Sequence, residues 1–335
     1  MEMVANAHER TFVEWAKDKP EVLVLSADLT SSVEIRLFKQ TYPERFISMG
    51  LTEQHMMSFA AGLAREGYYP FLHTFAVFLY RRPYDQLAMS VAYANLPVRL
   101  VGFLPGITTP GGASHQAIDD IGVVRMLPNM TIVEAGDASE VEQIIGVAHQ
   151  VDGPVYIRQL RGEVPRLFDP SERMALGRAR HLSTGTDITL LSSGICTEEA
   201  MRATAVLKSR GVGIEHLHVS TLKPFDDPAV TEAVASANRG VITMENHSVV
   251  GGLGSAVADL IAENGLGSHL RKIGLRDTFA HGASRPYLMK HYGLDATALV
   301  REVEQAIGEP LGITADDLAS ARLDAVHSLA KAEAL

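Results

Sequence analysis

The residues with the clearest chemical potential lie near a predicted helix that begins at Thr52 or Glu53. A glutamate in the first turn of a helix can act on a ligand, or it can serve only to stabilise the helix dipole. Phe75 and Phe78 are three residues apart, so a turn can place both rings on one side, as a stacking surface for a flat ligand or as ordinary core. Asp28 follows a predicted strand and lies where ligands gather in open α/β sheets, unless it is a solvated loop residue. The spacing alone leaves these alternatives open.

Two kinds of hydrophobic pattern predict the elements that position these residues. Short runs of Val, Ile and Leu alternate with longer stretches of helical period, which is typical of a parallel sheet with helices on both faces. The helix after Glu53 has apolar residues at helical spacing from Met56 to Ala64, so we expect one face to be buried. The predicted strands are 22–27, 98–103, 131–135, 155–159, 188–193, 214–219, 241–245 and 270–275. Further helices are predicted at 198–210, 228–237 and 251–264.

The length of 335 residues corresponds to about two domains at roughly 150 residues each. We predict an α/β protein of two unequal domains, each a mostly parallel sheet with helices on both faces. Thr314 and Asp317 can form a capping box at the start of a last helix. The predicted segments are a first domain at 1–165, a linker at 166–185, a second domain at 186–310 and a helical extension at 311–335.

Composition and common motifs exclude several classes of function. The chain has 30 Lys and Arg against 40 Asp and Glu, a net charge of -10, which disfavours nucleic acid and anionic membranes as partners. The single cysteine, Cys196, cannot form an internal disulfide, and no apolar stretch is long enough to span a membrane, so we expect a cytoplasmic protein. His216 and His218 share one face of a predicted strand, but no third ligand lies nearby, so a metal there is not favoured.

Several motifs together resemble one enzyme family. The block Met49-Gly-Leu-Thr-Glu-Gln-His-Met56 is followed by Phe59-Ala-Ala-Gly-Leu63, by Phe71-Leu-His-Thr-Phe-Ala-Val-Phe78 and by Arg81-Arg-Pro-Tyr-Asp-Gln86. In this order they resemble the pyrimidine-binding domain of the thiamine-diphosphate enzymes of the transketolase family. In the second half, the motifs Thr221-Leu-Lys-Pro224, Glu245-Asn-His-Ser248 and Gly251-Gly-Leu-Gly-Ser-Ala256 are similar to the C-terminal domain of that family. The resemblance covers nearly the whole chain.

The resemblance implies a cofactor site and a substrate site. Glu53 matches the carboxyl that hydrogen-bonds the far ring nitrogen of the cofactor's aminopyrimidine, which makes the 4'-imino group of the cofactor the base that deprotonates its thiazolium carbon. His115 matches a histidine that donates to substrate oxygens or transfers protons. The implied catalytic residues are Glu53 and His115. The implied cofactor-binding residues are Asp28, Glu53, Phe75, Phe78 and Arg81. The implied substrate-binding residues are Ser32, His115 and Arg158, and Arg158 or the nearby Arg161 can also form a surface ion pair.

Three positions depart from the family pattern. Phe103 stands where the family has a second histidine, and Gly111 stands where its glycine-rich loop has an acidic residue. Met3 stands near the position of a phosphate-binding arginine. We therefore expect a substrate other than an ordinary pentose phosphate: it is unphosphorylated, branched or carries a different anion.

The chain also lacks the Gly-Asp-Gly motif by which the family holds a divalent ion on the cofactor's diphosphate. No metal ligand is therefore predicted in this chain, and Mg²⁺, or Ca²⁺ or Mn²⁺, is expected mainly in a separate N-terminal subunit. The resemblance implies two copies of each chain in the complex, and a homodimer when this chain is alone.

Together, these expectations predict that the chain is the C-terminal subunit of a split transketolase, an enzyme that transfers a two-carbon ketol unit from a ketose to an aldose. Two alternatives stay open. A decarboxylating thiamine-diphosphate enzyme, similar to 1-deoxyxylulose-5-phosphate synthase or to a 2-oxo acid dehydrogenase beta subunit, would use pyruvate-like donors. A non-catalytic scaffold or regulatory subunit would keep the fold without the chemistry.

Overall fold

Two mostly parallel sheets with flanking helices form the framework of the computed structural model, which describes residues 2–321. The strands of the first half are β1 (Met3–Ala5), β2 (Val22–Ser26), β3 (Phe46–Ser48), β4 (Tyr69–Phe75), β5 (Arg99–Phe103), β6 (Thr131–Glu134), β7 (Val155–Gln159) and β8 (Glu163–Pro165). Those of the second half are β9 (Arg180–Ser183), β10 (Ile188–Ser192), β11 (Ile214–His218), β12 (Thr221–Lys223), β13 (Val241–Ser248) and β14 (Leu270–Leu275). The predicted fold class is confirmed.

The helices alternate with these strands. In the first half they are α1 (Ala7–Trp15), α2 (Arg36–Thr41), α3 (Glu53–Arg65), α4 (Ala76–Tyr80), α5 (Tyr84–Gln86), α6 (Asp120–Arg125) and α7 (Ala138–His149), with a 3-10 turn at Pro43–Arg45 and a π-helix at Leu87–Ala92. In the second half they are α8 (Cys196–Ser209), α9 (Pro228–Ala235), α10 (Leu253–Glu263), α11 (Arg285–His291), α12 (Ala296–Ile307) and α13 (Ala315–Ser320).

The first sheet contains seven strands among the described residues, in the order β12-β6-β7-β5-β4-β2-β3. Strands β2 to β7 are parallel, and β2, β5, β6 and β7 are buried along their whole length, as expected for a sheet covered on both faces. Strand β12 comes from the second half of the chain and pairs antiparallel with β6. The second half of the chain therefore supplies one edge strand of the first sheet.

The second sheet has the order β14-β13-β10-β11-β9 in the described part of the chain, with β9 antiparallel at one edge. Strand β9 lies at Arg180–Ser183, inside the stretch that we predicted as a linker. Its mixed sequence, Arg-His-Leu-Ser, has little of the apolar character by which strands were recognised, and it lies at an exposed edge where polar residues are tolerated.

Most predicted elements agree with the structure to within two residues. The helix predicted to begin at Thr52 or Glu53 begins at Glu53, and the capping box between Thr314 and Asp317 is present. Strand β4, which carries Phe75, was missed because Pro70, His73 and Thr74 interrupt its apolar run. Of the predicted extension at 311–335, residues 322–335 lie outside the described residues.

Arg158 is the centre of a buried ion network that joins the two domains. Its Nε donates to Asp120 Oδ2 at 2.9 Å, its Nη1 pairs with Glu134, and its Nη2 donates to the backbone oxygen of Asn246 at 3.0 Å. Tyr156 Oη also donates to Asp120, at 2.7 Å. Burial alone would lower the pKa of Arg158, but Asp120 and Glu134 outweigh it and raise that pKa above its usual value. The network links β6, β7 and α6 with β13 of the second domain.

The two histidines of β11 belong to a second buried polar network. His218 Nδ1 lies 2.7 Å from Thr197 Oγ1, and its Nε2 lies 2.9 Å from Glu140 Oε2 of the first domain. His216 Nε2 lies 2.8 Å from Ser192 Oγ, and burial lowers the pKa of His216 to about 3. Within residues 2–321, no group of three metal-ligating side chains is present.

Replacing Arg158 with Met should destabilise the chain strongly, because it leaves two buried carboxylates without a cation. We expect a loss of about 3–5 kcal/mol in the apparent free energy of unfolding, measured by urea titration. The control is Arg65→Met, which removes an exposed arginine at the end of α3. A loss no larger than that of the control would show that the network does not stabilise the fold.

Candidate cofactor and substrate site

The predicted site residues gather at the carboxyl edge of the first sheet, where the ends of its parallel strands meet. Asp28 follows β2, Phe75 ends β4, and Glu53 begins α3 after the short strand β3. Because the strands run parallel, residues from distant parts of the chain are brought to one edge.

Glu53 is a buried carboxylate, only 3% exposed, at the first position of α3. Its Oε1 lies 2.6 Å from Nη1 of Arg82, and the guanidinium of Arg82 lies 4.0 Å from the centre of the Phe78 ring. Buried carboxylates are costly unless they are paired. The structure therefore compensates Glu53 with a flat cation that stacks on Phe78.

Phe75 and Phe78 form the aromatic part of the site. Their ring centres are 6.0 Å apart and their planes differ by 26°, so the rings are nearly parallel. Phe75 ends β4 and Phe78 lies in α4, so a change from strand to helix places the two rings together. The His115 ring meets Phe78 edge-on at 5.5 Å and Phe75 at 6.2 Å. Glu53, Phe75, Phe78 and Arg82, called the Glu53 cluster below, thus lie next to His115.

Arg81 binds the backbone of the loop that carries His115. It pairs with Asp119 at 2.7 Å and donates to the backbone oxygens of Ala113 at 3.0 Å and Gln116 at 3.2 Å. The sequence implied that Arg81 binds the cofactor. The contacts among the described residues show that it holds the loop in place, and cofactor binding by Arg81 stays a prediction.

The glycine-rich loop, residues 106–116, has little free space around His115. A Cβ added to Gly111 would lie 2.9 Å from the Cβ of His115, which is closer than real Cβ contacts. The acidic residue that the family has at this position therefore does not fit while His115 keeps its place. Ser114 Oγ lies 2.9 Å from His115 Nδ1 and helps to fix the ring.

The second domain anchors the start of this loop through Asn246. Its Oδ1 accepts from the backbone N–H of Ile107 at 3.0 Å, and its Nδ2 donates to the Pro105 oxygen at 3.0 Å. Gly106 has a φ of +60°, and a Cβ there would lie 2.2 Å from the Asn246 side chain. Glycine is thus required by both the backbone conformation and the close approach. The Glu245-Asn-His-Ser motif therefore positions the loop that carries His115.

Two further residues predicted for this site, Asp28 and Ser32, follow strand β2. Asp28 is exposed, with a φ of +62°, on the loop after β2. Ser32 is partly buried, and its backbone oxygen accepts from Arg161 Nη1 at 2.8 Å. Arg161 in turn lies 5.9 Å from the centre of the Phe75 ring. Arg161, which follows β7, is therefore a second cation near the aromatic pair, in addition to Arg82 over Phe78.

The structure does not support the prediction that Arg158 binds the substrate. Its side chain is fully buried, and the guanidinium is bound to Asp120, Glu134 and the Asn246 backbone, so it presents no donor to a substrate. On a strand, neighbouring side chains point to opposite faces, and the direction of Arg158 could not be read from its position at the strand end.

A cavity of about 340 Å³ lies between the two domains. Arg161 lines it, together with Met3, Leu104 and Gln159 of the first domain and Arg285 of the second. Arg161 therefore both lines this cavity and lies near the Phe75 ring. Met3, which replaces an arginine of the family pattern, leaves an apolar surface there.

Phe103 lies in the core. It is fully buried and packs edge-on against His8 at 5.2 Å. His8 Nε2 lies 3.1 Å from His73 Nε2, and burial lowers the pKa of His73 to about 3, so this pair is neutral. Neither histidine was singled out from the sequence, because a lone histidine gives no signal of burial.

Arg82 and Glu34 are the functional candidates that the sequence analysis missed. Arg82 lies inside the Arg81-Arg-Pro motif, so its place beside the matched Arg81 was the available signal. Glu34 is buried beside Arg161, and its Oε1 accepts from the Gly162 N–H at 2.6 Å. Burial raises the pKa of Glu34 to about 7, although that hydrogen bond and Arg161 lower it.

Two α/β domains, with a buried carboxylate and stacked rings at the carboxyl edge of a parallel sheet, have the architecture of a thiamine-diphosphate-binding protein. Residues 2–166 match the family model "Transketolase, pyrimidine binding domain", and residues 177–299 match "Transketolase, C-terminal domain". The chain belongs to the transketolase family and corresponds to its C-terminal part.

Similar proteins support this assignment. The 6-deoxy-6-sulfo-D-fructose transketolase subunit SqwH of Clostridium sp. (strain MSTE9) is 40% identical over 88% of this chain and 91% of that protein. A solved structure described as a split gene transketolase, inactive β4 tetramer, has a TM-score of 0.82 and 38% identity over 90% of this chain and 97% of that one. The 1-deoxy-D-xylulose-5-phosphate synthase of Desulforudis audaxviator is 34% identical over 88% of this chain, which spans only 47% of that enzyme.

None of the helices in the described part of the chain is long and apolar enough to cross a membrane.

Replacing Glu34 with Gln should stabilise the protein at alkaline pH. The unfolded chain loses this proton near pH 4.5 and the folded chain near pH 7, so the glutamate destabilises the fold increasingly between these values. We expect the Gln variant to gain about 3 kcal/mol relative to wild type between pH 4.5 and pH 8, measured by urea unfolding across pH. Exposed Glu263→Gln is the control. A difference that does not grow with pH would contradict this account.

Proposed function

We propose that this chain is the C-terminal subunit of a two-component transketolase, which transfers a two-carbon ketol unit from a ketose donor to an aldose acceptor. The observation that carries the proposal is the Glu53 cluster. The Glu53 carboxylate and the Phe78 ring together hold one planar cation, the guanidinium of Arg82, at 2.6 Å and 4.0 Å. A carboxylate and a stacking ring are what the aminopyrimidine of thiamine diphosphate needs, so the residues present fit this cofactor.

The protein residues act by holding the cofactor and by exchanging a proton with it. Thiamine diphosphate supplies, when bound, a carbon nucleophile that adds to a carbonyl group. Glu53 would donate to or accept from the pyrimidine nitrogen, and its burial strengthens that hydrogen bond by excluding water. Phe75 and Phe78 would fix the plane of the ring.

His115 is the proposed proton donor to substrate oxygens. Its ring lies edge-on to both phenylalanines, and Ser114 contacts Nδ1, while Nε2 has no hydrogen-bond partner among the described residues. This nitrogen is therefore available to a substrate. Arg81 supports the role indirectly, because it fixes the backbone on both sides of His115.

The proposed partner is a separate N-terminal subunit with a Gly-Asp-Gly motif, which would hold Mg²⁺, or Ca²⁺ or Mn²⁺, and the diphosphate. The absence of this motif from the 335-residue sequence supports the proposal, as does the similarity to a split gene transketolase. We propose two copies of each chain in the active complex, and a homodimer with incomplete sites for the chain alone.

The proposed donor is a ketose other than an ordinary pentose phosphate. Phe103 is core, Gly111 has no room for an acid, and Met3 lines the cavity beside Arg161, so the usual polar groups around a sugar phosphate are missing. Arg161 remains as a cation for an anionic end group. The similar Clostridium protein is described as acting on a sulfonated ketose, which supports an end group different from phosphate.

The complex with its N-terminal subunit should catalyse ketol transfer from a ketose without release of carbon dioxide. The measurement compares a panel of ketose donors with pyruvate, in the presence of thiamine diphosphate and Mg²⁺. Glu53→Gln should lower the rate at least about 100-fold without loss of assembly, while Glu66→Gln, at the exposed end of the same helix, should have no effect. Carbon dioxide release from pyruvate would instead support the decarboxylating alternative, which the synthase similarity keeps open. Full activity of Glu53→Gln would refute the role of Glu53.

Xylulose 5-phosphate with ribose 5-phosphate should be a poor substrate pair. We expect kcat/KM at least about 10-fold below that for a ketose with a different end group, because one missing charged contact already costs that much. The comparison is made with the same enzyme preparation and acceptor. Equal efficiency with the pentose phosphates would contradict the proposed specificity.

A further inference from the structure

Arg82 makes two contacts that match those expected of the cofactor. Its Nη1 is 2.6 Å from Glu53 Oε1, and its guanidinium lies over Phe78 at 4.0 Å from the ring centre. A guanidinium is planar and cationic and has N–H donors in its plane. An aminopyrimidine protonated on its ring nitrogen has the same three properties. The two groups would therefore compete for the same carboxylate and the same ring face.

The position of Arg82 allows its side chain to leave without disturbing the fold. The side chain is 47% exposed, whereas Glu53 is 3% exposed, so the arginine reaches the carboxylate from the solvent side. The backbone oxygen of Arg82 accepts from Gln54 Nε2 at 3.1 Å, which anchors the main chain independently of the guanidinium. Rotation of the side chain into solvent would uncover both Glu53 and Phe78.

Arg81, the neighbouring arginine, behaves differently. Its guanidinium is bound to Asp119 and to two backbone oxygens of the glycine-rich loop, so it is part of the framework. Only Arg82 of this pair contacts Glu53 among the described residues. The reason for its contact is electrostatic, because a buried carboxylate without a partner would be costly.

We propose that the Arg82 guanidinium lies in the pyrimidine subsite and that the cofactor must displace it in order to bind. This inference rests on the proposed function. Arg82 neutralises Glu53 and excludes other cations from this subsite until the cofactor binds. The arrangement makes Arg82 a positioning residue that lowers the apparent affinity for the pyrimidine group.

The test uses the isolated full chain and the probe 4-amino-2,5-dimethylpyrimidine, which needs neither the metal nor the partner subunit. Binding is measured by ligand-observed NMR titration near neutral pH. Arg82→Gln should bind the probe about fivefold more tightly than wild type, because the competing guanidinium is gone. Arg65→Gln, which removes an exposed arginine from the end of α3, should bind like wild type.

Thermal unfolding of the same variants supplies the second measurement. Arg82→Gln should lower the Tm by about 2–4 °C because Glu53 loses its partner, and Glu53→Gln in the Arg82→Gln background should restore most of this loss. A variant that only weakened a structural contact would lose stability without gaining affinity.

The outcomes separate the inference from the proposed function. If wild type binds the probe and Glu53→Gln does not, the proposed pyrimidine site is supported. Unchanged or weaker binding by Arg82→Gln would then overturn the displacement proposal alone. If the probe binds to none of the variants, including Arg82→Gln, the pyrimidine site is refuted and the displacement proposal fails with it.

Discussion

The buried ion network of Arg158 is the constraint on which the rest of the site depends. Arg158 holds Asp120 at the start of α6 and Glu134 at the end of β6, and it also binds the backbone of Asn246 in the second domain. Asp120 follows the glycine-rich loop, and the Asn246 side chain holds the beginning of that loop. The network therefore fixes both ends of the loop that carries His115. Removal of one charge would leave the others buried and unpaired.

This arrangement explains the division of roles between the two domains. The first domain supplies the Glu53 cluster and His115, whereas the second contributes Asn246 and the edge strand β12. The second domain thus acts on the site through the glycine-rich loop, without placing a side chain in the Glu53 cluster. Its Glu245-Asn-His-Ser motif has a second structural role: the Glu245 carboxylate caps α10 by accepting from the backbone N–H of Leu253 at 2.7 Å and of Gly254 at 2.9 Å.

The sequence predicted elements and motifs better than it predicted side-chain direction. Apolar runs located the buried strands, and the resemblance located Glu53, Phe75, Phe78 and His115, which the structure brings together. The sequence analysis predicted the wrong surroundings for Arg158, because a charged residue at a strand end can face either a ligand or a buried acid. The two acids, Asp120 and Glu134, come from distant positions in the sequence. Arg82 was missed for the same reason: its role depends on a contact with Glu53, 29 residues away. Such long-range pairs have no local pattern.

The most direct test of this account is a crystal structure of the complex between this chain and its N-terminal subunit, with thiamine diphosphate and Mg²⁺ bound. The account predicts the aminopyrimidine ring stacked beside Phe75 and Phe78, its ring nitrogen hydrogen-bonded to Glu53, and the Arg82 guanidinium turned away from that carboxylate. A structure in which the cofactor binds elsewhere while Arg82 remains paired with Glu53 would contradict it.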